Sequence, residues 1–145
     1  MKYIVIFLVA FPIYASAQTK QDYNFMTRFV NYYNARSSDK ICSLFPPPKN
    51  EEENCFWNSL KPDEEKSIYD EFGAIKKYEY LGVDTTDPEK VIVFKVLFAN
   101  KGVKALSFNT KDQKYNNFRF DTSSDLIEKM LKQHINLTKI FLSKF

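Results

Sequence analysis

The sequence predicts an α+β domain: N-terminal helices packed on a curved four-stranded antiparallel meander, with an extra C-terminal helix. Three observations predict it. Apolar residues recur at helical spacing ahead of Gly73 and again after Ser124, with strand-like alternation between them. Short polar turns separate four apolar runs, which favours sequential antiparallel pairing. Aromatic residues make up 17% of the chain, with 14 Phe and nine Tyr against three Gly, so the core is built from rings.

The chain opens with Met1 and Lys2, and Tyr3 to Tyr14 is almost wholly apolar before the small-residue triplet Ala15-Ser16-Ala17. Composition turns polar at Gln18, Thr19 and Lys20. This is the pattern of a secretory signal cut after Ala17, and the apolar run is short for a membrane span of roughly 20 residues. The expectation is a secreted or periplasmic protein with no membrane span after cleavage. Gln18 rather than a cysteine stands at the cut, which excludes a lipid anchor there. Residues 18–145 then form a single domain, long enough to bury about two-thirds of its unfolded surface.

The first helix is expected from about Asp22 to Ala35, with Phe25, Met26, Phe29, Val30 and Tyr33 on one face. Asp39 is placed to cap a short helical turn presenting Ile41, Leu44 and Phe45, and the prolines 46–48 end it. A further helix covers Pro62 to Phe72, with Pro62 near its first position, acids in its first turn and Gly73 as its stop. Leu60, Ile68 and Phe72 face inward, and Phe56 and Trp57 anchor the preceding loop. Strands follow at Ile75–Gly82, Val91–Ala99, Val103–Asn109 and Tyr115–Phe120. The second is apolar on both faces and belongs in the middle of the sheet. Turns fall at 84–89, at Asn100-Lys101-Gly102 and at 111–114. Asp125 and Glu128 form a capping-box pattern for the last helix, whose stripe is Ile127, Met130, Leu131, His134, Ile135, Thr138, Phe141 and Leu142. The triplet Asn136-Leu137-Thr138 lies inside that helix and is read as a chance glycosylation match.

Cys42 and Cys55 bound the proline loop and the acidic run Glu51-Glu52-Glu53. A disulfide between them would close a loop of about 15 residues, worth roughly 3 kcal/mol; two separately buried thiols are the alternative. A metal site is not expected, because these cysteines and the lone His134 lack ligand spacing. The chain carries 21 Lys and Arg against 18 Asp and Glu, a net charge of +3 that falls to +2 once Lys2 leaves with the leader. Basic and acidic residues are interleaved, so nucleic acid is not an expected partner.

The order of elements resembles the nuclear-transport-factor-2-like α+β cone of the cystatin-like superfamily. More narrowly, it is similar to the small bacterial domain of unknown function that often precedes secreted serine hydrolases of the β-lactamase type. Phe29-Val30-Asn31-Tyr32-Tyr33-Asn34, Asp39-Lys40-Ile41-Cys42-Ser43-Leu44-Phe45 and Phe72-Gly73-Ala74-Ile75-Lys76-Lys77-Tyr78-Glu79-Tyr80 carry the likeness, which spans about residues 22–121. Three features depart from it: the cysteine-bounded proline loop, the absence of a following hydrolase domain, and the added helix at about 125–142, placed to plug or lid the cone.

Enzymes of that superfamily usually set a His, Asp or Tyr acid-base group inside the cone. Here His134 sits on an apolar stripe, where a hydrogen-bonded structural histidine is the commoner case. Tyr78 and Tyr80 with Asp70 or Glu79 are the available carboxylate and tyrosine partners for a cofactor-free lyase or isomerase. No glycine-flanked serine elbow or phosphate-cradling loop is present, and the Gln-x-Val-x-Gly hairpin of the cystatins is missing. The leading expectation is a non-enzymatic binding or accessory domain with no cofactor. It holds a small apolar ligand, a peptide or an envelope protein; whether it forms a homodimer through its sheet, as relatives of this fold often do, the sequence leaves open. Trp57, Tyr80 and Arg119 are the expected rim of its binding site.

Overall fold

The first helix, α1, runs from Ile4 to Asn34, starting well ahead of the expected Asp22. The computed structural model describes residues 4–50, 54–111, 114–121 and 123–142, with side chains described between 19 and 134 inside those limits. The side chains of residues 1–18, the acidic run 51–53 and the turn residues 112–113 lie outside the described residues. Ala15, Ala17, Gln18 and Lys20 are good helix formers, so the backbone meets no local obstacle between residues 15 and 20. Phe25, Met26, Phe29, Val30 and Tyr33 form the buried stripe of α1. Arg36, at φ 52°, turns the chain out of the helix.

Helix α2 covers Ser38–Cys42, with Ile41 fully buried. Ser37 occupies its N-cap and Asp39 lies in its first turn, two positions inside the capping position expected for it. A short turn of helix, α3, spans Phe56–Ser59. Helix α4 runs from Pro62 to Phe72 as its start and stop signals predict. The Glu64 carboxylate accepts the Lys61 N–H at 2.8 Å. Gly73 ends the helix at φ 70°, where a Cβ would lie 2.8 Å from Asn100 Cγ. That asparagine donates to the Asp70 carbonyl at 2.9 Å, so glycine is required by both backbone and neighbour.

Four strands follow: β1 at Ile75–Asp84, β2 at Lys90–Phe98, β3 at Gly102–Lys111 and β4 at Lys114–Asp121. They pair antiparallel in sequence order, with β2 and β3 central. Register shifts between Ile75 and Lys77 and between Tyr80 and Gly82 bend β1. The last helix, α5, spans Asp125–Leu142. Asp125 is its first residue rather than its cap, and the Ser124 carbonyl accepts the Glu128 N–H at 3.0 Å.

Alternation along β2 divides the interior in two. Ile92, Phe94, Val96 and Phe98 face α1 and join Phe108, Leu106, Phe72 and the α1 stripe in an aromatic core. Val91 and Val93 face the other way and pack with Leu81, Ala105, Leu126 and Met130. The last helix therefore covers the sheet face opposite the rings and does not plug the aromatic side. Leu131, expected inside its stripe, is 50% exposed, because Leu126 and Met130 set the buried face. The exposed His134 meets the Leu81 carbonyl through Nε2, and Gly82, at φ +115°, leaves room for the ring. Side chains at Ile135, Thr138, Phe141 and Leu142 lie outside the described residues.

Candidate binding groove beside the proline loop

Cys42 and Cys55 are joined by a disulfide with a Cα separation of 5.6 Å. The bond ties the end of α2 to the residue before α3, so the intervening proline loop leaves and returns at one place. Its aromatic ends rest on β4. Phe45 stacks on Phe118 with ring centres 5.6 Å apart and meets Phe25 edge-on at 5.8 Å, while Phe56 lies 6.3 Å from Phe118. Trp57 sits behind them, stacked between Tyr69 at 5.3 Å and Phe118 at 6.2 Å.

A groove separates this loop from residues 21–28 of α1 and from β4. One lobe, of about 780 Å³, is bounded by Gln21, Asn24, Arg28, Leu44, Pro47 and Tyr115. The second, of about 520 Å³, is bounded by Pro48, Asn54, Phe56, Lys111, Asn117 and Phe118. Phe45, Pro46, Pro47 and Lys114 border both lobes, which therefore adjoin along the proline loop.

Under the first lobe lies Asp22, fully buried. The Tyr115 hydroxyl donates to Asp22 Oδ1, and Phe25 stacks on the Tyr115 ring at 3.7 Å. Burial pushes the Tyr115 hydroxyl far above its ordinary value, and the adjoining Asp22 carboxylate adds to the shift. Tyr80 is pushed up to about 12, first by burial and then by the charge of Asp22 and a hydrogen bond to it. Asp22 thus serves both tyrosines and ties α1 to β1 and β4. Its position was visible in the sequence: residue 22 falls on the stripe of Phe25, Met26 and Phe29, and an acid there needs buried partners. Reading Asp22 only as the start of a helix hides this.

The three residues expected to share a rim are dispersed. Trp57 is 1% exposed and belongs to the aromatic core, because its two large rings for neighbours cover both its faces. Tyr80 is half-buried against α1, with Tyr23 6.0 Å and Phe94 5.4 Å away. Arg119 is exposed and opposite Ser107 in the ladder, which puts it on the α5 side of the sheet. The expected acid-base partners are also apart. Asp70 is exposed, and its hydrogen bond from Lys66, with help from nearby Arg36, holds it below the usual carboxylate range. Glu79 pairs with Lys95, and Tyr78 meets Thr27 Oγ1 at 2.7 Å.

Among the described residues, no group of three or more His, Cys, Asp or Glu side chains is arranged to hold a metal ion, and no helix is long and apolar enough to cross a membrane. Fold and groove together define a disulfide-stapled α+β domain with helices on both faces of an open antiparallel sheet. No protein-family model matches the chain, and neither does any curated protein or solved structure.

Proposed function

We propose that this chain is an exported, non-enzymatic binding domain of the nuclear-transport-factor-2-like type that holds a small apolar ligand in the groove between the proline loop and β4. The observation that carries the reading is the groove itself, which has an apolar floor of Phe45, Pro46, Pro47 and Phe118 and a volume suited to a small molecule. The aromatic side of the sheet, by contrast, is packed with rings: Phe29, Phe94, Phe98 and Phe108 are at most 1% exposed, which favours a site at the surface. Export is supported by the apolar run 3–14 and the small-residue triplet Ala15-Ser16-Ala17. Material secreted by its native host should begin at Gln18. A melting-temperature screen against apolar small molecules should find ligands whose stabilisation disappears in Pro47→Trp, a neutral substitution that crowds the groove. Ligands that stabilise the wild type and this variant equally would place binding elsewhere, and a screen with no stabilising ligand would remove the reading.

A second reading, a cofactor-free lyase or isomerase, is favoured by one observation: Tyr115 lines the groove and is bonded to a buried carboxylate. It requires Asp22→Asn to abolish a turnover that the wild type performs, with ligand-induced stabilisation retained.

A further inference from the structure

We propose that the groove selects a soluble amphiphilic anion: an apolar body carrying a carboxylate or a group of like charge. This inference rests on the binding reading above and adds the sign of the ligand's charge. Arg28 and Lys114 border the larger lobe, and Lys111 stands at the end of the smaller one. All three are exposed, and no carboxylate appears among the described residues lining either lobe. Asp22, the acid beneath, is screened from the groove by the stacked rings of Phe25 and Tyr115 and is committed to the Tyr115 hydroxyl. A ligand lying on Phe45 and Pro47 therefore meets cations at its rim and a masked acid below. The amide side chains of Gln21 and Asn24 border the same lobe as Arg28 and can donate hydrogen bonds to an anionic head.

A neutral ligand would gain the apolar contact alone. An anionic one gains the field of two or three cations beside a low-dielectric wall, where attraction is stronger than in open water. Guanidinium and ammonium groups both recognise carboxylates and sulfonates, so the head group's charge rather than its identity is what the groove reads.

Two probes that share an N-phenylnaphthylamine body test this: 8-anilino-1-naphthalenesulfonate, which is anionic, and N-phenyl-1-naphthylamine, which is neutral. Titrations followed by probe fluorescence use the full domain without its leader, with near-ultraviolet circular dichroism confirming native packing at each step. The anionic probe should bind about tenfold more tightly than the neutral one. Arg28→Gln and Lys114→Gln should each weaken it about threefold and the double variant about tenfold, with the neutral probe unchanged. Raising the salt from about 50 to about 500 mM should erase most of the preference. Lys76→Gln, an exposed β1 lysine remote from the loop, should bind as the wild type does. Equal binding of the two probes, displaced by Pro47→Trp, would overturn the charge selection and leave the groove reading standing. Binding of neither probe would remove both. An anionic preference that survives the double variant would also overturn the inference, because the charge would then be read somewhere else.

Discussion

Along β1, side chains from two helices meet the backbone, whereas along β4 a disulfide-closed loop stands off across a groove. Asn34 is the clearest instance on the first edge: its Oδ1 accepts the Ile75 N–H at 2.8 Å and its Nδ2 donates to the Ile75 carbonyl at 3.0 Å. The Tyr80 N–H donates to the Tyr23 hydroxyl at 3.2 Å, and Gln133 donates to the Val83 carbonyl at 2.8 Å. These side chains do what another strand would do, and they leave no straight row of free groups for a passing chain. On β4 the device is local. Asn117 Oδ1 accepts the N–H of its own neighbour Phe118 at 2.8 Å, and the register shift opposite Asn109 and Thr110 twists the strand. The contrast teaches that side-chain hydrogen bonds cover the β1 edge while β4 borders the groove.

Cutting the Cys42–Cys55 bond is the largest way to break that contrast. Cys42→Ser with Cys55→Ser, or reduction of the wild type, should cost about 3 kcal/mol in a denaturant titration. Hydrogen exchange should speed up along residues 114–121 and stay slow along β1, and the emission of the single tryptophan, Trp57, should shift to the red as the loop loosens. Equal loosening of both edges would show that the loop does not act on β4 in particular.

Asn34→Ala attacks the other edge. It removes an acceptor and a donor from the backbone of Ile75 at once and should destabilise by about 2 kcal/mol. Light scattering should then report concentration-dependent association through the uncovered β1 edge, with groove ligands still bound. A variant that stays monomeric and loses little stability would mean that water replaces the asparagine without consequence.

The smallest effect concerns the far end of β1, where Lys129 of α5 bonds Asp84 at 2.6 Å. Burial pulls the Asp84 carboxyl up, but the Lys129 bond and the Thr86 backbone and hydroxyl donors outweigh it and hold the group below the usual carboxylate range. A carboxyl depressed in the folded state contributes stability that is present above its unfolded value, about pH 4, and is lost as the pH falls through the folded value. Lys129→Met should therefore cost about 1 kcal/mol near neutral pH, and the gap to the wild type should narrow as the pH falls below the usual carboxylate range. A gap independent of pH would assign the effect to packing instead of charge.

Much of the scaffold could be read directly. Pro62, the three acids after it and Gly73 delimit α4, and the strands begin and end within two residues of their apolar runs, because these signals act through the local backbone. Trp57 differs for the opposite reason: an amphipathic aromatic is a usual binding anchor, but Tyr69 and Phe118, brought in from α4 and β4, bury it. The helical turn α3 was missed because four residues give no period to detect. Asp22 was readable as an acid on an apolar stripe, but its partners Tyr80 and Tyr115 are 58 and 93 positions away, so no spacing rule connects them.

Residue order alone therefore determined the class of fold, the sequence of helices and strands, the central place of β2 and the ring-built core, since each follows from periodicity and from turn and cap chemistry within a few neighbours. Tertiary structure alone decided which face α5 covers, which sheet edge is closed, and that Phe45, Tyr115 and Arg28 border a common groove. Those outcomes depend on contacts between segments far apart along the chain, where burial and hydrogen-bond satisfaction choose among arrangements that local propensity leaves equal.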